Sequence, residues 1–199
     1  MGPEPLIALF AFIARPLWIA PDLNAIAERA HAWTVFVSAT SGEDEMSASG
    51  VLIPGGMVLT DLHGLLSRRP DGTVAPANIV VMVDGIGPLP ALLARFDAEL
   101  GLAVLRLPDQ ARGLPGASIA TADPGVADQL LAMGNDGKSV DVLGVKVDHV
   151  DHAWLHTTST LPAAFRGGPL FDTSGNLAAL ELPFGAAAAS SVLRLLEQR

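Results

Sequence analysis

The sequence predicts an all-β domain built as a pair of small antiparallel β-barrels, with a short helix at each end. In both halves of the chain, short runs rich in Val, Leu and Ile alternate with Gly, Pro and Asp turns. A looser stretch from Pro108 to Gly125 separates the halves, and a helix-like segment follows at Ser190–Gln198. Strand periodicity alone fits a β-sandwich as well, so it leaves the closure of the sheets open.

The expected elements follow in chain order. A helix begins at Pro21, where apolar residues recur at helical spacing. The expected strands of the first half are Thr34–Ala39, Ser49–Ile53, Met57–Thr60, Ile79–Val83, Pro90–Ala94 and Leu102–Leu107. Those of the second half are Gln129–Met133, Asp141–Val147, Ala153–Thr157, Pro169–Phe171 and Leu177–Leu182. We therefore expect a first barrel over about 32–108, a second over about 125–189 and a helix over 190–198.

Composition excludes several classes of function. Half of the 199 residues are hydrophobic, which is enough to bury a core and argues against a disordered chain. The net charge of −9, with no Lys/Arg cluster, argues against nucleic-acid binding because phosphate is repelled. The chain has no cysteine, so disulfides, thiolate metal sites and a cysteine nucleophile are excluded.

Residues 1–20 form an apolar N-terminal extension. Its apolar run, Leu6–Ala14, is shorter than the roughly 20 residues that a spanning helix needs. Only Glu4 carries charge before this run, whereas an export signal begins with basic residues. We expect a segment that docks on a partner through Phe10, Phe12 and Trp18. The alternatives are an ordinary helix packed on its own domain and a cleaved export signal.

Three segments, Ser49–Leu66, Phe96–Pro108 and Leu155–Leu180, follow one another in a characteristic order. They resemble, in that order, the segments that carry the catalytic histidine, the aspartate and the nucleophile in HtrA/Deg serine proteases, a trypsin-type family. The resemblance covers about residues 21–199 and implies two six-stranded antiparallel barrels of the trypsin-like fold, with no PDZ domain. It also implies a periplasmic or membrane-associated location.

The resemblance places the catalytic positions at His63, Gly101 and Arg166. The histidine is kept, whereas glycine has no carboxylate and arginine stays protonated and cannot attack a carbonyl. Ala164 replaces an oxyanion-hole glycine and should resist a positive φ. Asp61, two residues before His63, is not expected to replace the lost acid. The expectation is that the chain is not an enzyme.

The leading prediction is thus a catalytically inactive pseudoprotease. It would bind a protein partner as a scaffold or accessory subunit of a membrane-associated complex, with Phe165 and Arg166 as further contact candidates and a trimer implied by the resemblance. One alternative is a transition-metal protein that uses His149, His152 and His156, with His149 and His152 as the better pair. Ligand spacing in this cluster is irregular, so we expect no cofactor. The other alternative is a residual or rewired serine-type hydrolase.

Overall fold

The computed structural model describes residues 21–68, 74–75, 78–152 and 154–198. The apolar extension, including Phe10, Phe12 and Trp18, lies outside these ranges, so its predicted docking role stays a prediction. Within the described ranges, no helix is long and apolar enough to cross a membrane.

Two closed six-stranded antiparallel barrels make up most of the described chain. The first has the strand order β1-β2-β3-β8-β7-β6, and its strands are β1 (Thr34–Ser41), β2 (Asp44–Ile53), β3 (Met57–Asp61), β6 (Asn78–Val83), β7 (Gly87–Asp97) and β8 (Leu102–Arg106). A two-residue pair, β4 (Ser67–Arg68) with β5 (Val74–Ala75), lies between β3 and β6 in the chain.

The second barrel has the order β10-β11-β14-β13-β12-β9. Its strands are β9 (Gln129–Asn135), β10 (Val140–Asp151), β11 (Trp154–Thr157), β12 (Pro169–Phe171), β13 (Leu177–Leu182) and β14 (Gly185–Ala188). Helix α1 (Pro21–His31) precedes the first barrel and helix α2 (Ala189–Glu197) follows the second. This architecture confirms the predicted fold class.

Strand pairing extends or adds elements that the sequence pattern did not indicate. Strand β2 begins at Asp44 because its residues 44–51 pair with all of β1, from Ser41 opposite Asp44 to Thr34 opposite Val51. Strand β14 is Gly-Ala-Ala-Ala, a composition with low strand propensity, yet it pairs with both β13 and β11. Tertiary pairing therefore overrides local propensity at both places.

A single hydrophobic cluster joins the two barrels. Leu59 and Leu102 of the first barrel and Met133 and Phe171 of the second are buried together in it. The inner face of α1 packs into the same cluster through Leu23, Ile26 and Ala30. Burying one such large side chain contributes about 1.5–3 kcal/mol to stability, so this cluster stabilises the packing of the two barrels against each other.

Ser49, on β2, fastens a loop of the second barrel to the first. Its backbone N–H donates to the Arg166 carbonyl at 2.8 Å, and its hydroxyl donates to the Ala164 carbonyl at 2.5 Å. The Asn135 N–H on β9 donates to the same hydroxyl at 2.7 Å. Loop residues 162–166 are thus held against the first barrel, close to the end of β3 that leads into His63.

Candidate active site

His63 lies directly after β3, on a single 3-10 turn over Leu62–Gly64. Asp61, the last residue of β3, caps this turn by accepting a hydrogen bond from the His63 backbone N–H at 2.9 Å. The same Asp61 oxygen, Oδ1, lies 3.1 Å from His63 Nδ1. Asp61 is fully buried, whereas the His63 side chain is half exposed. The carboxylate therefore orients the imidazole through Nδ1, and Nε2 is the ring nitrogen that Asp61 does not engage.

The position of the His63 ring explains why residue 101 is a glycine. Gly101 has φ +73°, and a Cβ atom added to it would lie 2.5 Å from His63 Cε1 and 2.7 Å from Nδ1. The ring thus fills the volume that a side chain at position 101 would need. The Nδ1 atom that a triad aspartate would bind is instead bonded to Asp61.

Asp61, which was not expected to replace the lost acid, is the acidic residue that contacts the His63 ring. A signal was available, since aspartate is strongly preferred as the cap of a helical turn, and Asp61 immediately precedes the turn that carries His63. The second oxygen of this carboxylate, Oδ2, is buried without a hydrogen bond among the described residues. Its nearest cationic partner is Arg166, whose Nε lies 3.8 Å away. Arg166 thus offsets part of the cost of burying a carboxylate.

The loop before Arg166 is wound into a tight turn. Ala163–Phe165 forms a 3-10 turn in which the Phe165 N–H donates to the Pro162 carbonyl at 2.9 Å and the Arg166 N–H donates to the Ala163 carbonyl at 3.1 Å. Ala164 does not adopt a positive φ. The Arg166 N–H is therefore engaged within the turn and not presented to the cleft as an oxyanion donor.

Phe165 requires a correction as a partner-contact candidate. Its side chain is only 3% exposed and packs in the core of the second barrel, next to Leu170 and Ala132. A buried side chain cannot contact a partner, so the candidate at this loop is Arg166 alone, which is half exposed.

A cavity of about 290 Å³ opens beside this loop, lined by residues 155–157, 159–163, 166 and 181–185. Phe184 lies at the edge of this cavity, on the turn between β13 and β14, and is 69% exposed. Its ring meets the rings of His63 and Trp154 edge to face, with centroids 6.5 and 6.4 Å apart. Glu181 lines the same cavity, and burial raises the pKa of its carboxyl to about 7.

The histidine cluster is arranged differently from the expected pair. Strand β10 continues to Asp151, so His149 lies within the strand and directly opposite His156 on β11, with the rings stacked at 4.3 Å. His152 lies at the turn with φ 50° and approaches Asp151 at 3.5 Å. Cross-strand register therefore brings together His149 and His156, not His149 and His152.

The three histidines do not converge on one point. Over the described ranges, no group of three or more His, Cys, Asp or Glu side chains could hold a metal ion. His149 instead pairs with Asp148, at 2.9 Å between Nδ1 and Oδ2. The metal site stays a prediction that would need a rearranged hairpin or ligands from elsewhere.

Comparison with known proteins relates this geometry to a family. The family model of the trypsin-like peptidase domain matches residues 48–180, which is more than half of the chain and includes His63, Gly101 and Arg166. The chain belongs to the trypsin-like peptidase domain family. No curated protein matches the sequence.

Solved structures of proteases share the fold of this trypsin-like domain. The crystal structure of Deg5 has a TM-score of 0.75 and 19% identity, over 87% of this chain and 91% of that one. The serine endoprotease from Yersinia pestis has a TM-score of 0.72 and 25% identity, over 87% of this chain and 65% of that one. The active form of the Rv3671c protease from M. tuberculosis has a TM-score of 0.71 and 16% identity, over 88% and 85%.

These matches contradict the prediction that the chain is not an enzyme. The matched family is a peptidase domain, and the similar structure at 25% identity is a serine endoprotease. The prediction depended on Gly101 and Arg166, and for Gly101 its reasoning fails physically. Asp61 was not expected from the sequence to replace the lost acid, whereas its Oδ1 lies 3.1 Å from His63 Nδ1.

Proposed function

We propose that this trypsin-like domain binds extended segments of protein partners in the cleft formed by the cavity of its second barrel. The observation that carries the proposal is the open cavity of about 290 Å³ that is lined by Arg166 and by Phe184, whose ring contacts that of His63. Phe184, the most exposed of the large apolar side chains among the described residues, stands at its edge. Exposed aromatic side chains beside a pocket are common anchors of protein interfaces.

A peptide-display selection tests this proposal. Decapeptides selected on the purified chain are expected to protect residues 181–185 from hydrogen exchange. Phe184→Asp should weaken their binding about tenfold or more, because it removes an aromatic anchor. Ile86→Asp is the matched control, since Ile86 is also exposed, at 50%, but lies on the β6–β7 turn of the first barrel. Equal losses in the two variants, or no selected peptide, would refute the proposal.

A second candidate function, hydrolysis by a rewired site, is supported by the bond between His63 Nδ1 and Asp61. In this proposal His63 Nε2 takes a proton from water as the water oxygen attacks a substrate carbonyl. The same proton then passes to the leaving group as its bond to carbon breaks. The Arg166 guanidinium, which carries five N–H donors, would stabilise the oxyanion in place of a backbone N–H.

Ester hydrolysis measures this second candidate. His63→Ala is expected to lower the rate of p-nitrophenyl acetate hydrolysis about 100-fold, which is typical for loss of a general base. Asp61→Asn should lower the rate in the same direction, because it removes the group that sets the tautomer of His63. His31→Ala is the control, since His31 is similarly exposed but lies at the end of α1. Equal rates for the His63 and His31 variants would contradict the candidate.

A further inference from the structure

A notch opens on the surface of the first barrel, where β7 extends beyond the end of β8. Residues 87–91 of β7 pair with β6, whereas the pairing of β7 with β8 begins only at Leu92, opposite Arg106, the last residue of β8. This offset leaves a cavity of about 470 Å³, lined by residues 90–92 on one side and 106–109 on the other. We call it the β7–β8 notch.

The walls of the β7–β8 notch are mostly apolar. Ala91 and Leu107 line it and are buried in the core of the barrel, and Pro90 and Pro108 line it from the two sides. Leu92 is 63% exposed, so a large apolar side chain is left in water at this site. Covering such a side chain with an apolar group is favourable. Pro90 has no N–H to offer to an added strand, which favours recognition through side chains over strand pairing.

Arg106 gives this notch an unbalanced positive charge. It is exposed and lies directly opposite Leu92 in the strand register, so the two side chains project from the same face of the sheet. Within the described ranges, Arg106 takes part in no salt bridge. Asp109 also lines the notch, but its carboxylate pairs with Arg112 at 2.8 Å. The β7–β8 notch is therefore cationic on a chain whose net charge is −9.

We infer that the β7–β8 notch is a docking surface for a protein segment that carries a large apolar side chain next to an aspartate or glutamate. The apolar side chain would pack on Leu92, and the carboxylate would pair with Arg106. A carboxylate gains a charge-assisted bond at this arginine, whereas a basic side chain in its place would be repelled. This surface is independent of the proposed cleft, because the two cavities share no lining residue.

A peptide-display selection on the Phe184→Asp chain tests this inference, because that variant lacks the aromatic side chain at the edge of the cleft. The best peptide is synthesised with glutamate or with lysine at its acidic position, and both forms are titrated by fluorescence anisotropy. We expect the glutamate form to bind about tenfold more tightly. Leu92→Asp should weaken its binding about tenfold or more. Val126→Asp is the matched control, since Val126 is 64% exposed and Leu92 is 63% exposed, and it should change binding less than about twofold.

Charge reversal at Arg106 is the decisive measurement. Arg106→Glu should invert the preference, so that the lysine form binds about tenfold more tightly than the glutamate form. Arg194→Glu is the control, since Arg194 is also exposed but lies on α2, and it should leave the preference unchanged. Substitutions at exposed positions change stability little, and thermal unfolding of each variant checks that a loss of binding does not come from a loss of folding.

Four results would overturn the inference. The first is a selection that yields no peptide dependent on Leu92, and the second is an unchanged preference in Arg106→Glu. The third is displacement of the selected peptide by a synthetic peptide of residues 1–20, which would make the chain's own extension the occupant. The fourth is a dimer, measured by light scattering, that Leu92→Asp dissociates, which would make a second copy of the chain the occupant.

Discussion

Arg166→Ser is expected to raise the rate of ester hydrolysis about 10³-fold over Arg166→Ala. Loss of the serine from a complete triad costs about 10⁶-fold in rate, and the engaged Arg166 N–H leaves the oxyanion hole short of a donor, a defect of about 10²–10³. The ratio of these two factors is the gain in rate that we expect from the serine hydroxyl. His63 already has its Nδ1 on a buried carboxylate, so a serine at this position would have an oriented base.

Covalent labelling gives the sharper measurement. A fluorophosphonate probe should label Arg166→Ser at the substituted position and leave Arg166→Ala unlabelled, as read by intact-mass spectrometry. Adding Asp61→Asn to the serine variant should slow labelling at least tenfold, because the amide supports the wrong tautomer of His63. Labelling that is indifferent to Asp61 would show that the Asp61–His63 pair does not act as a base, and the rewired-site argument would fail with it.

Glu181→Gln is expected to stabilise the folded chain at pH 8 by up to about 3 kcal/mol. In the unfolded chain the carboxyl ionises near the ordinary glutamate pKa of 4.5, whereas burial raises its pKa to about 7 in the folded chain. Between these values the folded state binds more protons, so stability falls as pH rises from 4.5 to 7 and is level above 7. Glutamine carries no charge, so the variant should lack this fall.

Urea unfolding at pH 5.5 and pH 8 measures the effect while staying above the sequence pI of about 4.8. The wild type should lose about 2 kcal/mol more than Glu181→Gln between these two values. Glu28→Gln is the control, since Glu28 lies on the exposed face of α1. Parallel pH profiles for wild type and Glu181→Gln would show that Glu181 titrates normally and would remove its role as an unpaired carboxylate.

The strands that carry the site could be predicted because each has a local signal. Met57–Thr60 is a mostly apolar run preceded by a Pro-Gly-Gly turn, and Leu102–Leu107 follows a glycine and is apolar and buried except at Arg106. Strand β14 could not be predicted in this way, since its alanines are buried only through pairing with β11 and β13. The resemblance located His63, Gly101 and Arg166, which a single-sequence pattern would not have singled out.

The positions of the site residues could be predicted from the sequence, but the contacts between their side chains could not. Glu181 and Arg166 are separated by fifteen positions and line one cavity because β13 is hydrogen-bonded to the segment that begins at Gly167. The stacking of His149 on His156 likewise depends on the register of β10 with β11, which includes a bulge after Val147. Asp61 was within reach of sequence reasoning, but its relation to His63 depends on where the ring points.

The fit between Gly101 and the His63 ring has a consequence for how such a site can change over generations. Any Cβ at position 101 would fall within 2.7 Å of two ring atoms, so an acid there and the present ring position exclude each other. A Gly101→Asp substitution would have to displace the half-exposed ring, and it would bring a second carboxylate close to Nδ1. The two carboxylate positions are therefore alternative ways to orient one imidazole, and the present ring position serves only one of them.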